Sequence, residues 1–359
     1  MSGIEIIDET YERLRRTGPE FGGDEEGNNG LTNHGPMAAE VIVRRDLDLD
    51  VHSWLDAYLP RLVELPSPSD PITDEDWKVA LGNAKRIADW TEYFTRQVDE
   101  QPWRDMLATW WPRLLPGIVA GATHGVIRVG HAVRTLLAGN ESRAAQVELA
   151  HGLAFWAGRS RLVPGLVTPA GEFDAVKALD AVPHLADQSG VLASRIPRLA
   201  AVPGWSESVA AIRRPVDDDD VPARLAALVD AAALRYLTTA HGSPVLLLHT
   251  ATAPNAVLHT LPVLPREFWQ ASFAAVWGAS AAIVAMYAPA TAAEDATRPA
   301  APADSATDAD PVGEVLQRAA ENSDEHVLKF ADTAVEAYER TGNPDTLRAA
   351  LRAEELIGH

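Results

Sequence analysis

Gly121-Ala122-Thr123-His124-Gly125-Val126-Ile127-Arg128-Val129-Gly130-His131 is the stretch on which the fold turns. Ile118 and Val119 precede it; Val133, Leu136 and Leu137 follow. A segment this apolar, at helical length, belongs inside a protein. His124 and His131 are seven residues apart and so share a face. Gly121, Gly125 and Gly130 let another backbone or a ligand approach, at a cost in helix propensity. Two imidazoles and a guanidinium inside a buried helix must find partners. Those partners are either a hydrogen-bonded core network or a ligand, and spacing leaves both open.

Working outward, the same helical pattern recurs. Thr73 reads as an N-cap, with Trp77, Leu81, Ala84, Ala88, Phe94 and Val98 at helical spacing and Pro102 just past the end. Further helices are expected near 4–16, 36–45, 51–64, 104–114, 117–138, 141–157, 172–180, 222–241, 244–261, 266–287, 311–340 and 344–355. No stretch alternates with period two for long, so little or no sheet is expected. The expectation is an all-α chain: a multi-helix orthogonal bundle forming one domain over 1–359, with a metal or substrate pocket in its helical core. Residues 22–33 and the Ala/Pro/Asp/Thr tract near 288–310 read as loops, the second too poor in large apolar groups to order itself. The acid run at 217–220 reads as a solvated loop before the helix after Pro222.

Composition narrows the function. The net charge of −20 repels phosphate backbones and anionic lipid, which argues against nucleic-acid and membrane-surface roles. There is no cysteine, which removes disulfides, thiolate ligands, iron–sulfur clusters and a cysteine nucleophile together. Any metal must be held through nitrogen and oxygen. Mean hydropathy is −0.10, ordinary for a soluble globule. The apolar run at 268–288 is long enough to cross a membrane, but Gln270, Ser272, Gly278 and Ser280 interrupt it, and a core helix is the better reading. Met1-Ser2-Gly3-Ile4-Glu5 carries acid early and opens no signal-type apolar run, so a cytoplasmic protein is expected.

Phosphate-loop, dinucleotide, zinc-protease and nucleophile-elbow motifs are all missing. Asp46, Asp48 and Asp50 resemble the start of a calcium loop, but Val51 and Ala57 stand where Gly and Glu are needed. Asp50 fits better as a helix cap. The eleven histidines are then the main candidates, since imidazole is the strong nitrogen ligand left to a cysteine-free chain. His34, in Leu31-Thr32-Asn33-His34-Gly35-Pro36, lies at a helix start. His249 lies in the core-like run Val245-Leu246-Leu247-Leu248-His249, followed by Thr250-Ala251-Thr252-Ala253-Pro254, which loosens the backbone. Asp324-Glu325-His326-Val327-Leu328-Lys329-Phe330 opens a late helix, with His326 and Lys329 neighbours at i and i+3. Periodicity puts Val327, Phe330, Ala334 and Tyr338 on the apolar face and Lys329 on the polar side.

Taken in order, Asn33-His34, Gly121-x-x-His124, His249-x-x-Thr252 and His326-Val327-x-Lys329 resemble the questin oxidase-like family, oxygenases known from aromatic polyketide pathways. Where fungal members show His-Pro-x-x-His, this chain has His124-Gly125-Val126-Ile127-Arg128, so any role of the second histidine is lost or moved, with His131 the candidate to take it. The resemblance implies oxygenation of a fused-ring phenolic or quinone with O₂, by oxygen insertion or ring cleavage. It also implies a mononuclear Fe(II) held by His34, His124, His249, His326 and a carboxylated Lys329. A lysine carbamate would supply the anionic oxygen that four neutral imidazoles lack. Placing Lys329 on the metal overrides the periodicity, because residues in a helix's first turn often escape its average face. His131 and Arg128 are the candidates to deprotonate or hold the substrate, and Trp110, Trp111 and Trp156 are candidates to wall the pocket, although ten tryptophans in one chain are more often core.

Two alternatives stay open at this point. One is a metal-free, NADPH-dependent Baeyer–Villiger oxygenase. The other is a non-enzymatic binder of a hydrophobic small molecule, with the histidines as core hydrogen-bonders. The expected partners are an aromatic small molecule and O₂, without nucleic acid or membrane, and a homodimer is compatible with the sequence.

Overall fold

The structure is a computed structural model, and it describes residues 2–20, 32–293, 299 and 310–358. Most of the two expected loops, at 22–33 and 288–310, lies outside the described residues. Among those residues are seventeen α-helices and one two-stranded ribbon, which makes the chain all-α. Its contacts group into two compact units: Met1–Leu162 with His259–Pro265, and Val163–Leu258 with Arg266–His359.

The first unit contains α1 (Gly3–Leu14), α2 (Gly35–Arg44), α3 (Val51–Tyr58), α4 (Trp77–Ala80), α5 (Ile87–Glu100), α6 (Trp103–Leu114), α7 (His124–Leu137) and α8 (Arg143–Arg159). Ser2 and Glu5 close a capping box on α1, and Asp50 caps α3 through Ser53 N–H. The ribbon pairs β1 (Thr17–Glu20) antiparallel with β2 (Leu62–Glu64). At the centre, α8 packs against both α5 and α7. A methyl added to Gly125 would sit 2.7 Å from Cβ of Trp156 and 2.8 Å from its Cα, so α7 and α8 meet there with no space for a side chain. Trp110 packs edge-on to Trp77, Trp90, Tyr93 and Phe94, and Trp111 edge-on to Trp156. Trp90, Trp110, Trp111 and Trp156 are core groups, and Trp77 is half-buried.

The second unit contains α9 (Ala175–Asp180), α10 (Leu192–Arg195), α11 (Trp205–Ala210), α12 (Val221–Thr239), most of α13 (Pro244–Thr260), α14 (Trp269–Tyr287), α15 (Pro311–Asn322), α16 (Glu325–Thr341) and α17 (Pro344–Leu356). Here α12 packs against α9, α14, α16 and α17. The apolar segment Arg266–Tyr287 is long enough to cross a membrane, and two-thirds of it is buried within the protein.

Four expected helices differ from those observed, each for a backbone reason. The helix expected over 51–64 ends at Tyr58, because Pro60 has no N–H to continue it, and Leu62–Glu64 forms β2 instead. The helix expected from Thr73 to Val98 is broken between α4 and α5. Gly82 there adopts φ +75° and gives its N–H to Ala157 O, where an added methyl would meet Ser160 O at 2.6 Å. The helix expected over 117–138 begins only at His124, because Gly121, Ala122 and Thr123 are all left-handed. The segment 311–340 is two helices, parted at Ser323 with φ +61°.

Gly125→Ala should cost about 1–3 kcal/mol, since α7 and α8 must move apart. Gly158→Ala, whose added methyl meets only Ile87 atoms at 3.7 Å, should be neutral or stabilise by up to about 1 kcal/mol through helix propensity. Urea unfolding of both variants checks this; equal losses would show that the contact at Gly125 is not the tight one.

Candidate functional site

In the first unit the left-handed run at 121–123 turns the chain sharply into α7. Left-handed Ala and Thr cost roughly 1–3 kcal/mol each. The turn brings Gly121 O within 2.5 Å of His124 Nδ1. A carbonyl can only accept, so Nδ1 carries the proton and Nε2 the lone pair. His34 occupies the N-cap position of α2, with Pro36 in the first turn. Its own N–H donates to the Tyr58 hydroxyl at 2.6 Å. Asn33 donates to Thr17 Oγ1 and accepts from Gly35 N–H, which ties the segment to its surroundings. His34 Nε2 then lies 2.9 Å from His124 Nε2, with the rings nearly perpendicular and both buried. Without a metal, a protonated His34 Nε2 can donate across that gap to His124 Nε2.

Behind this pair lie two buried ion-pair systems. Arg128 grips Glu148 of α8 with Nε at 2.5 Å and Nη2 at 2.8 Å. Burial raises the Glu148 carboxyl above its usual range even with Arg128 beside it. Glu40 of α2 accepts from Arg134 and lies 2.9 Å from His131 Nδ1. Burial alone would raise Glu40; Arg134 and His131 outweigh it and bring it down to about 2.

A cavity in the same unit opens partly to solvent and encloses room for one or two water-sized groups. Thr17, Asn33, Thr91, Arg128, His151 and Phe155 are among the residues lining it. Of the two candidate substrate-holding groups, Arg128 lines this cavity and His131 does not. Trp110, Trp111 and Trp156 are not on its wall either.

In the second unit, Asp324 caps α16 through His326 N–H at 2.8 Å and also lies 3.2 Å from His326 Nδ1. Burial would raise Asp324, but the His326 contacts prevail and hold it below the usual carboxylate range. Nδ1 of His326 is thereby assigned the proton, and Nε2 the lone pair. Asp324, Glu325 and His326 also bring one ligand atom each within 4.8 Å of one another. His249, on α13, has its ring 6.1 Å from that of His326. One turn along α16, Lys329 is only 2% exposed. The periodicity that put it on a polar face is therefore overturned. Every residue from Glu325 to Val335 is buried, so this end of α16 has no solvent face at all.

Each unit thus assembles its own share of the predicted residues: His34 with His124, and His249 with His326 and Lys329. Sequence reasoning missed Glu40, Glu148, His151 and the role of Asp324. Glu148 and His151 stand three residues apart inside an Ala- and Leu-rich helix, which is the signal that could have marked them.

Residues 54–146 match the family model described as questin oxidase-like. The match lies in the first unit and takes in His124, Arg128 and His131. It stops short of His34, His249, His326 and Lys329. No curated protein matches the chain. The matched family is named for an oxidase, which puts an oxidoreductase in view.

The Glu40 network gives a pH prediction. A carboxylate held at about 2, against an ordinary 4.5, stabilises the fold above pH 4.5 and loses that contribution as pH falls towards 2. The contribution is roughly 3 kcal/mol at neutral pH. Urea midpoints followed downward from neutral pH should fall more steeply for wild type than for Glu40→Gln below the ordinary carboxylate pKa. A gap between the two proteins that stays constant with pH would show that Glu40 does not titrate in this way.

Proposed function

We propose that this chain is a non-haem iron oxygenase that acts with O₂ on a fused-ring phenolic or quinone, with iron held by His34, His124, His249, His326 and a carboxylated Lys329. The family match supports the oxygenase class and the kind of substrate. The observation that carries the metal reading is how the imidazoles are held. His124 is fixed through Nδ1 by Gly121 O, and His326 through Nδ1 by Asp324. Holding Nδ1 this way orients the ring and turns Nε2 into a ligand, the arrangement usual behind metal-bound histidines.

The donors fit a metal in two further respects. Two nitrogens bound to one ion at about 2.1 Å and a right angle stand about 3.0 Å apart; the Nε2 atoms of His34 and His124 are 2.9 Å apart. Four neutral imidazoles bring no negative charge, and a carbamate on buried Lys329 supplies one. The carbamate forms when the neutral amine adds to CO₂ and releases a proton.

Iron(II), when bound, supplies the unpaired electrons that let O₂ react with a closed-shell aromatic. The protein's own groups do the rest. Arg128, which lines the cavity, would hold a substrate oxygen. His131 is off the cavity wall, so as a base it would serve a substrate hydroxyl outside the cavity; held at Nδ1 by Glu40, it would take the proton at Nε2, and the Glu40 carboxylate would stabilise the imidazolium.

Lys329→Ala should lower iron content after anaerobic reconstitution to below about a tenth of wild type, measured by elemental analysis, with the helical circular dichroism kept. Full iron retention would defeat the ligand assignment. Mixing the reconstituted wild type with hydroxyanthraquinones should consume O₂. Turnover by iron-free protein with NADPH would favour the metal-free alternative instead.

A further inference from the structure

The cavity of the first unit contains a group that the proposed chemistry does not use. His151, on α8, lines it and is only 7% exposed. It makes no hydrogen bond to another described residue. The other polar groups on the wall are largely engaged within the protein. Asn33 donates to Thr17 Oγ1 and accepts from Gly35 N–H and the Tyr58 hydroxyl. Thr91 Oγ1 donates to Ile87 O at 2.8 Å. Glu148 takes two of the five N–H donors of Arg128, leaving three. The wall therefore offers a ligand the remaining donors of Arg128 and the two ring nitrogens of His151, one donating and one accepting.

The charge balance narrows the ligand. Glu148 neutralises Arg128, so the wall as a whole favours neither an anion nor a cation. Burial, then Arg128 and Arg15, bring His151 down to about 3, so it stands neutral at physiological pH. Leu65, Ile87 and Phe155 complete the lining with apolar surface. The enclosed part holds one or two water-sized groups, which suits a hydroxyl and not a whole fused-ring system. A neutral group that gives one hydrogen bond, takes one and carries an apolar body fits these demands together.

We propose that this cavity binds a phenolic hydroxyl, with His151 accepting its hydrogen bond, Arg128 donating to its oxygen, and Phe155, Leu65 and Ile87 beside the ring. The site itself stands on the cavity alone; that the phenol is the oxygenase substrate rests on the proposed function.

Phenol is the probe, titrated into the full chain without added iron and followed by calorimetry and by long-range proton–nitrogen NMR of the His151 ring. Saturable binding is expected, with a shift of one His151 nitrogen. Toluene, which lacks the hydroxyl, should bind at least tenfold more weakly. His151→Leu should weaken phenol at least tenfold, and His151→Gln, which still accepts a hydrogen bond, by no more than about threefold. The proposal is overturned if phenol does not saturate, if toluene binds as well as phenol, or if His151→Leu binds phenol like wild type. The comparison of the two ligands on wild type needs no variant to fold. Iron content and O₂ uptake measured on the same preparations separate the two readings: intact iron chemistry without phenol binding sinks only the cavity, and phenol binding without iron chemistry sinks only the oxygenase.

Discussion

A buried histidine with one ring nitrogen held offers the other in a fixed protonation state and direction, and each unit holds one such histidine, His124 or His326, by starting a helix late. In the first, three left-handed residues in a row delay α7 until His124 and leave Gly121 O beside its Nδ1. In the second, left-handed Ser323 ends α15, and Asp324 both caps α16 and takes Nδ1 of His326. In each case the histidine sits in the first turn, and the acceptor is two or three residues upstream. Local backbone geometry, not a distant partner, orients the ring. Left-handed Ala122 and Thr123 are strained positions, and such strain persists where the surrounding structure over-determines it.

The helical class was legible because long apolar runs at a spacing of 3.6 residues have few other solutions. The helix breaks were not. Ala122, Thr123 and Ser323 carry no mark of left-handed geometry in the sequence, whereas Gly82 does only once its approach to Ser160 is known. Lys329 shows a different failure. Periodicity assumes that every helix has a wet face, and the start of α16 has none, so a buried lysine looked like a surface one. Among the histidines, residue type and spacing left several open, and only the family resemblance singled out His34, His124, His249 and His326; His151 lay outside that pattern, and its one mark was a charged neighbour, Glu148, in a run of Ala and Leu.

The charged groups inside the first unit explain how it tolerates so much polarity. Arg128 with Glu148, and Arg134 and His131 with Glu40, each satisfy one carboxylate by two or more donors. Removing one member of such a pair leaves an uncompensated buried charge, which is far costlier than losing the pair outright. The same pairing sets the chemistry at hand. It spends the charge of Arg128 on Glu148 without using up its donors, and it fixes the nitrogen through which His131 could accept a proton.

The second unit solves a backbone problem beside its own histidine. Pro254 lies inside α13 and cannot donate to Thr250 O four residues back. Ser280 of α14 donates to that carbonyl instead, at 3.3 Å. Thr250 directly follows His249, so the repair stands next to the proposed ligand. A helix opened by proline at this point would otherwise leave a buried acceptor unsatisfied. The serine that interrupts the longest apolar run in the sequence is thus the group that completes α13, which is a physical reason for a polar residue in α14 that has nothing to do with a membrane.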